Sequence, residues 1–133
     1  MNSFSVKKHS REEFYETFCK WLDNHKFPRI TDAWLPNNVF VCYVNEIPCY
    51  CIWFYHNDAR LAHIAFPTSN KNVSYKLRQG GLQYLLEYVQ NYAKRKNYVS
   101  LFTTSNTESV VDTLGKCGYI VADRNVDQHI KIL

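Results

Sequence analysis

Residues 64–86 read IAFPTSNKNVSYKLRQGGLQYLL, and the order of elements within them decides the fold. Ile64, Ala65 and Phe66 end an apolar run of strand character, and a polar stretch, 67–75, follows it. Leu82, Leu85, Leu86, Val89 and Ala93 then fall at i, i+3, i+4, i+7 and i+11, with Gln83, Glu87, Gln90, Asn91 and Lys94 mostly opposite. That spacing is an amphipathic helix. The stretch therefore reads strand, loop, helix, with the helix starting at Gly80-Gly81. The first N–H groups of a helix lack an intrahelical acceptor and the dipole is positive there, so this end attracts phosphate. Glycines let an anion approach the backbone, and Lys76 and Arg78 would add charge-assisted bonds. The alternative is that the pair only lets the helix start turn tightly.

Upstream, residues 3–8 alternate weakly and predict a first strand. Ser10 and Glu13 fit a capping box, and Phe14, Phe18, Trp21 and Leu22 recur at helical spacing to about Asn24. Pro28 stops that helix, and 27–38 reads as a loop or a broken helical turn. Three strands follow as an antiparallel meander: 39–44, a turn at Asn45-Glu46, 49–56, a turn at Asn57-Asp58, and 60–66. The run 49–56 is nearly continuous in apolar character, which predicts a central strand.

Downstream, 98–103 predicts a short strand, and 107–117 a second amphipathic helix through Val110, Val111 and Leu114, ended by Gly118. Residues 119–122 and 129–133 read as two closing strands. The predicted order is β-α-β-β-β-α-β-α-β-β in one domain, 1–133. The first half lacks βαβα alternation, so this is an α+β sandwich with a mixed central sheet rather than a doubly wound sheet.

Composition narrows the class. The chain of 133 residues is 46% hydrophobic and 16% aromatic, enough for one core and contrary to disorder. A net charge of +4 suits an anionic ligand but argues against a nucleic-acid binder, which carries a dense basic stripe. The run Lys94-Arg95-Lys96 falls in the last turn of the long helix, where cations favour the dipole. The N-terminal MNSFSVKKHS holds no apolar run and no segment has the length of a membrane span, so a cytoplasmic protein with free thiols is expected. Cys42, Cys49, Cys51 and His56 are candidate zinc ligands, but they lack a CxxC knuckle and fall within a hairpin, where Cys serves as a small buried hydrophobe. Cys117 as a nucleophile has no His near it in sequence, and its spacing fits a core face.

Several residues carry a family resemblance: Gly80 ahead of Leu85-Leu86, Ser105-Asn106 after the fifth strand, and Lys116-Cys117-Gly118-Tyr119 at the end of the last helix. With the order of elements, they resemble the GNAT superfamily of N-acetyltransferases over nearly the whole chain. The family pattern R/Q-x-x-G-x-G/A falls on Leu77-Arg78-Gln79-Gly80-Gly81-Leu82. The helix 80–96 and the ending 123–133 also resemble small GNAT-type proteins encoded by bacteriophages.

The resemblance implies a GNAT-like acyl-CoA N-acyltransferase fold that takes acetyl-CoA as a substrate and an unidentified amine as acceptor, with no metal. It implies cofactor contacts from Ile64, Ala65 and Phe66 on the fourth strand, from Lys76, Leu77, Arg78, Gln79, Gly80, Gly81 and Leu82 at the helix junction, and from Asn106. The fourth strand would supply a backbone N–H to the tetrahedral oxyanion. His63, on that strand, is the candidate base, its alternative being a sheet histidine on the opposite face. Leu114 stands where the family has a Tyr acid, which leaves Tyr119 as the candidate acid or as an aromatic core residue. Leu82 and Leu114 also support a second reading: a non-catalytic phage structural or host-interaction protein of the same fold, placed in host cytoplasm or virion. A membrane partner is not expected, and the sequence leaves oligomerisation open.

Overall fold

A computed structural model describes residues 2–133. The elements are β1 (Phe4–Ser10), α1 (Arg11–Asn24), a 3-10 turn (Asp32–Trp34), β2 (Asn38–Val44), β3 (Ile47–Tyr55), β4 (Leu61–Ser69), α2 (Tyr75–Arg95), β5 (Ser100–Phe102) and α3 (Glu108–Lys116). The sheet order is β1-β2-β3-β4-β5, antiparallel except for the parallel pair β4-β5. This is the expected α+β sandwich with a mixed sheet, and the apolar run of β3 is indeed its central strand.

Side chains alternate across a strand, so each strand feeds two cores. On one face Val39, Val41, Cys51 and Trp53 meet Phe14, Phe18 and Trp21 of α1. Trp53 is fully buried there, edge-on to Phe18 at 5.2 Å. On the other face Phe40, Ile52, Phe54 and Ile64 meet Leu82, Leu85, Leu86 and Val89 of α2. Each such fully buried aliphatic side chain contributes about 1.5–3 kcal/mol. The capping box forms as the sequence predicts: Ser10 Oγ accepts from Glu13 N at 3.1 Å and Glu13 Oε1 from Ser10 N at 2.9 Å. The β2–β3 turn lacks glycine, yet Asn45 and Glu46 take φ of 49° and 69°. Asn45 Oδ1 accepts from Ser3 N at 3.0 Å, and that bond offsets the backbone cost.

Three expectations are corrected. The helix does not begin at Gly80-Gly81: Ser74 caps it and it starts at Tyr75. The polar stretch 67–75 is a loop only over 70–74, since β4 runs through Ser69 and α2 starts at Tyr75. What remains is a tight turn in which Asn70 Nδ2 donates to Pro48 O at 2.9 Å and Asn70 Oδ1 accepts from Asn72 N at 3.0 Å. The two closing strands do not form: 119–133 carries no strand, and Ile120 is 90% exposed. Only three residues of β5 offer an edge for them to pair with, and Asp123-Arg124 interrupts their apolar pattern. Among the described residues no helix is long and apolar enough to cross a membrane.

Candidate functional site

The site begins where the sheet opens. Leu61, Ala62 and His63 pair with Ser100, Leu101 and Phe102, and there β5 ends while β4 continues to Ser69. Within the continuing part, Ala65 faces Trp53 and Thr68 faces Cys51, so Phe66 and Pro67 together oppose Ile52. This is a β-bulge, a device that kinks a strand and re-aims its backbone. Phe66 holds a left-handed φ of 55° to make it, which costs an L-residue of this size roughly 1–2 kcal/mol. Thr68 Oγ1 donates to Phe66 O at 2.9 Å and fixes the bulge.

At the far end of β4 the chain turns directly into α2. Ser74 Oγ accepts from Leu77 N at 3.4 Å and Ser74 O from Arg78 N at 3.0 Å. The N–H groups of Tyr75 and Lys76 have no acceptor within the helix, as at every helix start. Arg78 lies over the Tyr75 ring at 5.7 Å and donates through Nη1 to Ser69 Oγ at 3.1 Å. His25 Nε2 meets the same hydroxyl and the Ser69 carbonyl, each at 3.0 Å. Arg78 Nε is buried and, among the described residues, has no hydrogen-bond partner. A buried cationic donor without an acceptor is costly, and an anion at this helix start would satisfy it.

A groove of about 370 Å³ lies between α2 and α3, lined by Tyr75, Gln79, Gly80, Ser109, Asp112 and Lys116. Its mouth also touches Thr107 and Glu108, so the N-termini of both helices border it. Thr113 Oγ1 donates to Gln79 Oε1 at 3.3 Å across its floor. The α3 wall carries Glu108, Asp112 and Lys116, and the α2 wall, Tyr75, Gln79 and Gly80, carries no charge, so attraction for an anion rests on the free N–H groups at the start of α2. The N–H groups of Tyr75 and Lys76, with the Arg78 guanidinium beside them, are the groups here that could hold a diphosphate.

The sequence-predicted residues divide accordingly. Lys76 is exposed and Arg78 half-buried at the helix start. Gly80 lines the groove, whereas Gly81 and Leu82 turn into the core and Leu77 packs at its margin. A Cβ on Gly81 would sit 2.6 Å from Cys49 Sγ. That glycine therefore serves the close approach of α2 to the sheet. Ile64 is buried on the α2 face, Ala65 is buried beside Trp53, and Phe66 sits at the bulge. Asn106 is exposed in the turn before α3. Cys51 faces α1 while Cys42 and Cys49 face α2, so the suggested zinc set shares no coordination sphere.

His63 lies on the α1 face, stacked on Tyr55 at 5.4 Å and against Phe102 at 5.3 Å. Burial pushes it below the ordinary imidazole value, which favours the neutral ring. Tyr119 lies under α2 and α3 with its hydroxyl buried and, among the described residues, without a partner. Gln90, whose amide donates to Cys117 O at 3.0 Å, keeps a second N–H and is the polar side chain beside that hydroxyl. Burial pushes the phenol up to about 12, so it keeps its proton at neutral pH. Sequence reasoning missed Ser69, His25 and the capping Ser74. The last had a signal, a Ser three residues before Leu77.

No family model and no curated protein matches the sequence. Solved structures do match in shape. An aminoglycoside acetyltransferase from an uncultured soil metagenomic sample, in complex with trehalose, is 10% identical with a TM-score of 0.69 over 98% of this chain and 97% of that one. An N-acetyltransferase from Staphylococcus aureus Mu50 is 18% identical with a TM-score of 0.66 over 87% and 81%. An aminoglycoside N-acetyltransferase in complex with CoA is 9% identical with a TM-score of 0.65 over 99% and 97%. At these identities the likeness shows the fold, which is that of GNAT acetyltransferases.

Proposed function

We propose that the protein is an N-acetyltransferase that moves an acetyl group from acetyl-CoA to an amine. The observation that carries this reading is the parting of β4 from β5 at His63 and Phe102, on a strand that leads straight to a helix start with an unsatisfied arginine. The diphosphate would lie on the N–H groups of Tyr75 and Lys76 and on Arg78. The acyl arm would run along β4, where 64–69 has no strand neighbour on the β5 side. Pro67 has no N–H, so it is excluded as the oxyanion donor on this stretch of β4.

In the reaction the amine nitrogen attacks the thioester carbonyl, a C–N bond forms and the C–S bond breaks. His63, neutral at pH 7, would take the proton that the amine gives up. Tyr119, protonated and unpartnered, would return one to the leaving thiolate. The neighbour bound to CoA and those named acetyltransferases support this assignment by shape.

A thermal-shift titration tests it. A ligand that binds only the native state adds about 2.7 kcal/mol at a hundred times its Kd, enough to raise Tm by several degrees. Acetyl-CoA and desulfo-CoA are both expected to do so. An unchanged Tm at millimolar ligand would refute the reading.

A further inference from the structure

We propose that the acceptor is an alkylamine bearing an aromatic ring, and that this ring lies on a row formed by Tyr55, His63 and Phe102. This deepens the acetyltransferase reading and rests on it. Tyr55 pairs with His63 across β3–β4, and His63 with Phe102 across β4–β5, so the three side chains stand side by side on the α1 face. The Tyr55 and His63 rings are stacked at 28°, and the His63 and Phe102 rings are tilted at 53°. The Tyr55 hydroxyl donates to Trp34 O at 2.8 Å, which brings the 3-10 turn and its half-exposed Trp34 to the end of the row. Phe102 is 49% exposed and Leu61, next along the same face, 47%.

Position gives the row its meaning. His63 and Phe102 are the last pair before the two strands part. An acyl group arriving from the α2–α3 groove would emerge through that gap beside these rings. The next residue on this face of β4 is Ala65, whose small side chain leaves the gap unblocked. Flat apolar rings attract a flat apolar partner by offset stacking. Tyr55, His63 and Phe102 carry no carboxylate, so the row itself contacts an acceptor through its rings.

The test uses the full chain, acetyl-CoA and four amines: tryptamine, 2-phenylethylamine, spermidine and kanamycin. The expected result is kcat/KM for tryptamine and 2-phenylethylamine at least roughly tenfold above the other two. In Phe102→Ala the KM for tryptamine should rise roughly tenfold with kcat little changed. Phe102 is half-exposed, and an unchanged Tm would show that this variant folds. Preference for spermidine or kanamycin would overturn the inference, as would an unaltered KM in the variant. A normal acetyl-CoA shift with neither tryptamine nor 2-phenylethylamine acetylated sinks the acceptor claim alone. Loss of the acetyl-CoA shift removes the reading beneath it as well.

Discussion

Gly81 lies so close to Cys49 that a Cβ there would come within 2.6 Å of Cys49 Sγ and 3.7 Å of Cys42 Sγ. Cys49 faces α2 because β3 carries an irregularity here: Cys42 pairs with Tyr50 and Tyr43 with Pro48. The thiol it adds to this face fits only under a residue without a side chain.

Gly81→Ala should therefore destabilise the protein by about 1–3 kcal/mol, the cost of overpacking a filled core. Gly80→Ala meets only the Phe4 ring edge, at 3.1 Å, and Phe4 is partly exposed. The gain of about 1 kcal/mol in helix propensity should offset that contact. Urea melts of both variants, and of Gly81→Ala with Cys49→Ala, measure this. The second substitution should recover most of the loss.

Arg78→Gln should weaken acetyl-CoA binding by about 10–100-fold, the worth of one or two charge-assisted bonds. Its effect on stability should be small, because among the described residues Nε has no partner and the losses are the Nη1 bond to Ser69 and a half-exposed contact with the Tyr75 ring. Lys96→Gln, at the opposite end of α2, should leave affinity unchanged. Isothermal titration of the two variants separates a local anion contact from general charge.

Tyr119→Phe should reduce kcat about 100-fold or more while leaving the fold intact. Among the described residues the buried hydroxyl has at most a weak contact with Gln90, so its removal should cost little stability. Normal turnover in this variant would return Tyr119 to the role of a core aromatic.

The pH dependence follows from His63 and His56. Burial lowers both, and Lys8 and Lys96 lower His56 further. A histidine lowered on folding contributes stability that is complete above the unfolded value, about 6.5, and is lost as pH falls through the folded value. Stability should fall from pH 6.5 toward pH 5, and His63→Gln should flatten that slope. With His63 as base, kcat/KM should hold to a pH below 6.5 before declining. Denaturation and rate profiles over pH 5–8 test both.

The meander, the capping box, the central place of β3 and the apolar face of α2 were legible because each follows from hydrophobic period and a cap. The glycine pair was legible as a place of close approach, which the structure shows at Gly81. Sequence could not say whether an anion or Cys49 occupies that space, since Cys49 reaches this face only through the β3 irregularity. The first turn of α2 escaped notice because Tyr75, Lys76, Arg78 and Gln79 are exposed or half-buried and show no apolar period. The aromatic row joins residues from three strands, and only the register of those strands reveals it. The alternation in 119–133 reads as strand, but pairing also needs an edge, and β5 is three residues long.

The most direct test of the central claim is an amide and arginine-side-chain NMR map of the protein titrated with acetyl-CoA. The account predicts the largest shifts at the backbone N–H of Tyr75 and Lys76 and at Arg78 Nε–H, with smaller ones along 64–68. Saturating ligand that leaves these signals in place, or that moves Gly80 and Gly81 while sparing Tyr75 and Lys76, would contradict it.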